Sequence, residues 1–275
     1  MINQLVSDIG SIYAKYGAVY MTGILNTLIL STVATLIGCV IGFICGILQT
    51  IPCAPTDPFL RRFLLKLIRV LIRIYVEVFR GTPMILQAVF IYYGMPYFFG
   101  ITFKDIWTVS ILVVSINTGA YMAESVRGGI MSIDPGQFEG AKAIGMNHFQ
   151  TMLHIILPQT LRNIMPQIGN NYIINVKDTS VMFIIGFQDF FAVHKMVSGA
   201  IFKYFPSALL EMGGYLFLTL LASFLLRRLE KKLQGSSDYE LVNTDSLVLT
   251  AGNYQYTGDA PYEEKNRDYQ GGNRS

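Results

Sequence analysis

Between Tyr16 and Thr56 the chain reads YGAVYMTGILNTLILSTVATLIGCVIGFICGILQTIPCAPT, 41 residues without a single Asp, Glu, Lys or Arg. About 20 apolar residues in a helix are enough to cross the hydrocarbon core of a bilayer, and helix satisfies every backbone polar group where no water is at hand. The apolar part, residues 19–48, therefore reads as a tilted membrane helix. It is longer than a signal-peptide core and has neither a basic start nor a clear cleavage site, so it is expected to stay. Inside it Gly38, Gly42 and Gly46 recur every fourth residue, which aligns three positions without side chains on one face and predicts a seam where another helix comes close.

The rest of the chain repeats the pattern. Residues 81–103 and 106–123 are also free of charged side chains, and the whole chain is 52% hydrophobic but only 14% charged, against about 25% in a soluble domain. The fold class is an all-α integral membrane protein with about five transmembrane helices. The spans are 19–48, 82–99, 106–126, 160–188 and 204–226, following an extracytoplasmic segment over residues 1–18. Pro83 suits the first turn of the second span, and Tyr92, Tyr93, Tyr97, Phe98 and Phe99 form its aromatic exit at the far interface. Ahead of it, Arg61, Arg62, Lys66, Arg69, Arg73 and Arg80 interleave with Leu, Ile and Val and predict an amphipathic helix at the membrane surface.

Charge gives the orientation. Residues 1–234 carry 18 basic and 11 acidic side chains, whereas residues 235–275 carry 3 and 7. The cations lie beside apolar runs, which points to anionic membrane lipid and gives no support to nucleic acid. Segments 57–80, 127–162 and 227–232 hold 6, 3 and 4 of them, while the alternate side has only Lys15, Lys104, Lys195 and Lys203. The positive-inside bias then places the amino terminus outside, the carboxyl terminus in the cytoplasm, and the loop 127–159 in the cytoplasm. Residues 233–275 are polar, with few aliphatics, and read as a disordered cytoplasmic tail.

The loop 127–159 has the grammar of two short helices. Asp134 caps a helix beginning at Pro135, Phe138, Ala141 and Ile144 share a face, and Gly145 supplies a left-handed stop. Asn147 and Gln150 then form a capping box for a second helix that runs to Leu157 and Pro158. So short a helix is marginal in water unless something packs on it, so the loop reads as a docking element for another protein.

Other residues stand out by being in the wrong solvent. Lys177 and Asp178 are charges within a span, and being adjacent they point about 100° apart on a helix, so each needs its own partner or faces a path. Asn170, Asn171 and Asn175 add a polar stripe that fits either a solute path or hydrogen bonding between helices. Glu124 and Arg127, three apart at the cytoplasmic end of the third span, read as a structural charge pair. Cys39, Cys45 and Cys53 read as packing residues, and His148, His154 and His194 as surface or loop histidines with no metal-ligand spacing. No Lys follows a Gly, so there is no phosphate loop, and no catalytic motif of a hydrolase or dehydrogenase occurs. The chain is not expected to be an enzyme, and energy must come from a partner.

Glu139-Gly140-Ala141, three residues, Gly145, nine residues, then Ile155-x-Leu157-Pro158 resembles the cytoplasmic signature EAA-x3-G-x9-I-x-LP of permease subunits of ABC importers, with Gly140 replacing the usual first Ala. Arg80-Gly81-Thr82-Pro83 with Gln87, Gly119-Ala120-Tyr121-x-Ala123-Glu124-x-x-Arg127 and Lys177-Asp178-Thr179-Ser180 resemble the polar amino-acid branch of that family. The resemblance implies a type I importer fold, with Glu139, Gly140, Ala141, Gly145, Ile155, Leu157 and Pro158 coupling to a separate ATPase. It implies ABC ATPase subunits that carry ATP-Mg, a second permease subunit, identical or related, an extracytoplasmic solute-binding protein, and no cofactor bound by this chain. It further implies a prokaryotic cell membrane. An importer for another small solute and an ion-coupled secondary transporter using Lys177 and Asp178 are the alternatives.

Overall fold

A computed structural model of the chain describes residues 2–234, so the tail expected over 233–275 lies, but for its first two residues, outside the described residues. Helix α1, Ile2–Thr50, is unbroken over 49 residues. At 1.5 Å per residue it is about 74 Å long, more than twice the hydrocarbon core, so the boundary expected at residue 19 falls inside one helix.

Helix α1 lies along α5, Ile106–Met131, and glycines set the separation. A Cβ on Gly38 would stand 2.6 Å from Thr118 Cβ, one on Gly42 2.3 Å from Met122 Cβ, and one on Gly46 2.6 Å from Val126 Cγ1. No real Cβ approaches so closely, so the backbones touch at a distance only glycine permits. Either side of this seam are two apolar clusters. Leu30, Ala34, Val109, Val113, Met182 and Phe187 form one, and Met122, Val126, Ile130, Met152, Ile156 and Ile164 the other.

Helix α2, Phe59–Gly81, carries the interleaved cations. Leu65, Ile72 and Val76 are buried, and Tyr75 Oη donates to Ile116 O at 2.6 Å. After a break come α3, Met84–Val89, a π-helical turn at Phe90–Gly94 and α4, Met95–Phe99. The apolar stretch Met84–Phe99 is about 24 Å long, short of the ~30 Å core. It falls within the second span expected at 82–99, and the chain breaks at Gly81–Pro83 between it and α2.

The fourth span also differs from expectation. The helix opening at the capping box does not end at Pro158. It runs through α7, His148–Thr151, a π turn at Met152–Ile156 and α8, Leu157–Asp178, then tightens to a 3-10 helix over Thr179–Ile185. Proline has no N–H to give the preceding turn, and the wide turn absorbs the loss: Leu157 N bonds back to Met152 O, and Gln159 Nε2 donates to Ile155 O at 2.9 Å. Gly186, at φ +90°, then turns the chain into α9, Phe190–Ile201, bent 54° from the preceding helix. Helix α10, Tyr204–Gln234, completes the described fold. By length and apolarity α1, α5 and α10 each suffice to cross a membrane, and the bent pair adds a fourth if it counts as one span. No strand forms among the described residues.

Candidate functional site

The break between α2 and α3 takes the carbonyls of Phe79 and Thr82 out of the helical hydrogen-bond ladder, because Pro83 has no N–H to give. Gln87, buried one turn into α3, supplies donors in its place. Its Nε2 lies 2.9 Å from Phe79 O, from Thr82 O and from Thr82 Oγ1, and its Oε1 accepts from Asn117 Nδ2 at 3.1 Å. Asn117 also donates to Phe79 O at 3.2 Å. Replacing Gln87 by Leu leaves Phe79 O to Asn117 but removes the side-chain donor to Thr82 O and the acceptor of Asn117 Nδ2, and should destabilise the fold by about 1–3 kcal/mol, the cost of roughly one unsatisfied group. Thermal melting in detergent reads it directly, and an unchanged midpoint would show that the glutamine does not hold the break.

This break forms one wall of a cavity of about 560 Å³. Arg80 to Met84 line it on one side, Asn117, Thr118 and Tyr121 of α5 on another, and Gln167, Asn171, Asn175 and Asp178 of α8 on the third. Arg80 lies over the Tyr121 ring at 5.4 Å, a cation–π contact that holds its stem against α5. Asn175 is tied down, since its Nδ2 is 2.8 Å from Thr35 Oγ1 and 2.9 Å from Thr118 Oγ1, and so joins α1, α5 and α8. Asn171 Nδ2 donates to Gln167 O at 3.0 Å. The cavity thus offers one cation, one anion and several amides.

Of the path residues read from the sequence, Asn171, Asn175 and Asp178 line this cavity, while Asn170 and Lys177 are exposed on other faces of α8. Neither Lys177 nor Asp178 makes an ion pair among the described residues. Arg80, Asn117 and Gln167 were not singled out as path residues from the sequence, although Arg80 stood in a recognised motif. Glu124 and Arg127 do pair with each other, both half-exposed at the end of α5.

At the opposite end of α5 and α8 lies the loop. Asp134 Oδ1 accepts from Gly136 N at 2.7 Å at the start of α6, Pro135–Ala143. Gly145, at φ +80°, ends it: Met146 N bonds to Ala141 O and Gly145 N to Lys142 O, both at 3.0 Å, the Schellman arrangement. The reciprocal bonds of the capping box, Asn147 N to Gln150 Oε1 and Gln150 N to Asn147 Oδ1, are both 2.9 Å and start the next helix at once. Ala141 and half-buried Phe138 hold α6 to the membrane domain, leaving Glu139, Gly140 and Lys142 exposed. Ile144 and Phe149 are also 77% and 72% exposed, an apolar pair on a polar loop that composition did not reveal. His148 is exposed, with partial burial, then the Lys142 and Arg61 charges, holding its pKa below the ordinary histidine value. Ile156 and Met152 are buried, and Ile155 packs against their cluster beside Leu157.

Residues 38–235 match the family model described as binding-protein-dependent transport system inner membrane component. The chain belongs to this family. As an inner membrane component it is an integral, multi-pass transport subunit and not an enzyme. Among relatives, the glutamine transport system permease protein GlnP of Escherichia coli K12 is 36% identical over 161 residues, 58% of this chain and 74% of the relative. A putative glutamine transport system permease protein GlnP of Rickettsia bellii is 34% identical over 211 residues, covering 77% and 91%. A crystal structure of an amino acid ABC transporter with histidines superposes with a TM-score of 0.69 at 31% identity, over 80% of this chain and 96% of that one. An inward-facing MetNI methionine ABC transporter, at 18% identity and TM-score 0.65, shares the fold.

The permease also holds a buried polar cluster that the sequence reading missed. Expected at the surface, His194 is only 1% exposed, because its face of α9 packs between α1 and α10. Its Nδ1 lies 2.8 Å from Ser207 Oγ, which is 2.6 Å from Tyr20 Oη, and Glu211 Oε2 is 3.7 Å away. Next to it the buried carboxylate of Asp189 caps α9, accepting from Ala192 N at 2.9 Å and from Tyr215 Oη at 3.3 Å. These bonds fasten the bent helix α9 to two spans.

Proposed function

We infer that this chain is the permease subunit of an ATP-driven importer for polar amino acids. The observation that carries the solute class is the set of relatives, whose names state glutamine transport. The cavity supports it, because Arg80 and Asp178 on separate walls, with amides between, are what an α-amino acid's carboxylate and ammonium groups would pair with. Two ATPase subunits, carrying ATP-Mg, dock on the loops at Glu139 to Gly145; a second permease subunit completes the path; an extracytoplasmic binding protein delivers the solute. The amino terminus lies outside and the loop 127–159 in the cytoplasm, the side with more Lys and Arg. Lys177 and Asn170 join the path only if the second permease brings it to their face of α8. ATPase closure pushes α6, which is held to the spans by Ala141 and Phe138, and the rigid α5 and α8 carry the motion to the cavity.

The test is uptake into proteoliposomes holding the permease, its ATPase and its binding protein. ATP inside should drive accumulation of glutamine or another polar amino acid. Asp178→Asn should cut uptake by about tenfold or more, the worth of one charge-assisted hydrogen bond, without loss of folded protein. Uptake that continues without ATP and collapses with the ion gradient would replace this reading by the secondary-transporter one.

A further inference from the structure

A second hollow, of about 530 Å³, lies where the chain leaves α1 and enters α2, lined by Cys53, Phe59, Arg62, Phe63, Lys66 and Arg69. Residues 62, 66, 69 and 73 follow helical spacing, so α2 carries a stripe of four cations. Carboxylates do not offset those at the hollow. Asp57, the nearest acid in sequence, is taken by Arg61 Nη1 at 2.7 Å and Ala54 N at 2.9 Å. Arg69 is held in place by its Nη2 bond to Ile51 O, while its buried Nε has no partner among the described residues. Arg62 reaches only Pro55 O, at 3.4 Å. Three cations are thus gathered at one concavity with donors to spare.

The surroundings choose the anion. Phe59 and Phe63 stack at 6.3 Å, and Phe59, Leu60, Phe63, Leu64, Leu67 and Leu71 are each between 43% and 81% exposed. Along the same helix, then, an apolar stripe runs beside a cationic one. An acidic protein surface would complement the cations but leave the stripe in water, whereas a phospholipid complements both, phosphate to the cations and acyl chains to the stripe. We propose that this hollow binds the phosphodiester headgroup of an anionic phospholipid of the cytoplasmic leaflet. The proposal rests on the membrane orientation given above and not on the solute class.

The experiment uses the full-length permease reconstituted in phosphatidylcholine with or without phosphatidylglycerol, followed by detergent exchange and mass spectrometry of the retained lipid. Phosphatidylglycerol should be retained over phosphatidylcholine. R62Q/K66Q/R69Q should weaken retention on the order of 100-fold, at ~1 kcal/mol per basic residue near an anionic surface, while R62K/K66R/R69K keeps most of it. R227Q/R228Q/K231Q, which removes the same charge from α10 but from no residue lining the hollow, should weaken retention far less, by under about tenfold. Equal loss in that control, or retention that survives R62Q/K66Q/R69Q, overturns the proposal. Displacement by inorganic phosphate at equal concentration would assign the hollow to a free phosphate and also overturn it. Loss of ATPase co-purification in R62Q/K66Q/R69Q with lipid retention intact would assign the hollow to the partner protein. If instead lipid retention fails while ATP-driven uptake persists, the hollow reading falls and the importer reading stands.

Discussion

Gly42→Leu should prevent the permease from accumulating in folded form, and even Gly42→Ala should lower its stability by about 2–3 kcal/mol. Alanine adds one methyl group, but it would stand 2.3 Å from Met122 Cβ and 2.8 Å from the Met122 carbonyl carbon. Side-chain rotation cannot relieve a clash with Cβ and backbone, so α1 and α5 must separate. Overpacking in a dense interior costs typically about 1–3 kcal/mol, and here the separation also stretches the Asn175 bonds to Thr35 and Thr118. Leucine would force the helices apart by several ångströms and open both apolar clusters on the seam. The measurements are yield in the membrane fraction and thermal midpoint after purification. Gly10→Ala is the control, because nothing lies within 4 Å of the added atom, and it should match or slightly exceed wild type. A Gly42→Leu protein that melts with wild type would mean the seam does not set the packing.

That seam was legible in the sequence because it is a local regularity: period four, one face, no side chain. The loop was legible for the same reason, since Asp134, Gly145 and the Asn147–Gln150 box each act on backbone within three residues. Legibility stopped where the partner is distant in sequence. Nothing around Gln87 says that it will reach back across the break to Phe79 O, and nothing around His194 says that Ser207 and Tyr20 will enclose it. The polar stripe of α8 was visible as a stripe, but which face meets the cavity depends on how α5 and the break at Arg80 are packed. Hence Asn171, Asn175 and Asp178 fall on the cavity and Asn170 and Lys177 do not. The helix breaks were not legible for a simpler reason: hydropathy reports how deep a residue can sit, whereas Gly81, Pro83 and the π turn before Pro158 decide where a helix breaks or bends.

The division also says where force can travel. A nine-residue helix that is anchored on one face and bare on the others is a lever only while its end is fixed. Gly145→Pro should therefore abolish transport without unfolding the spans. Proline cannot adopt φ +80° and has no N–H for Lys142 O, so both Schellman bonds go and the stop with them. The loss, about 2–4 kcal/mol from backbone strain and hydrogen bonding, exceeds what so short a helix holds in reserve. Glu139→Lys tests the surface itself, because Glu139 is exposed and makes no ion pair among the described residues. If that side chain meets the ATPase, reversing its charge should cost at least 2 kcal/mol of docking and lower ATP-driven uptake by about 30-fold or more. Gly140→Ala should do neither, since open space surrounds that position and alanine is the better helix former by about 1 kcal/mol. Uptake and ATPase co-purification separate the cases, with thermal melting confirming that the membrane domain is intact. Full uptake in both Gly145→Pro and Glu139→Lys would show that α6 is not the coupling element, and the ATPase would have to be sought elsewhere on the cytoplasmic face.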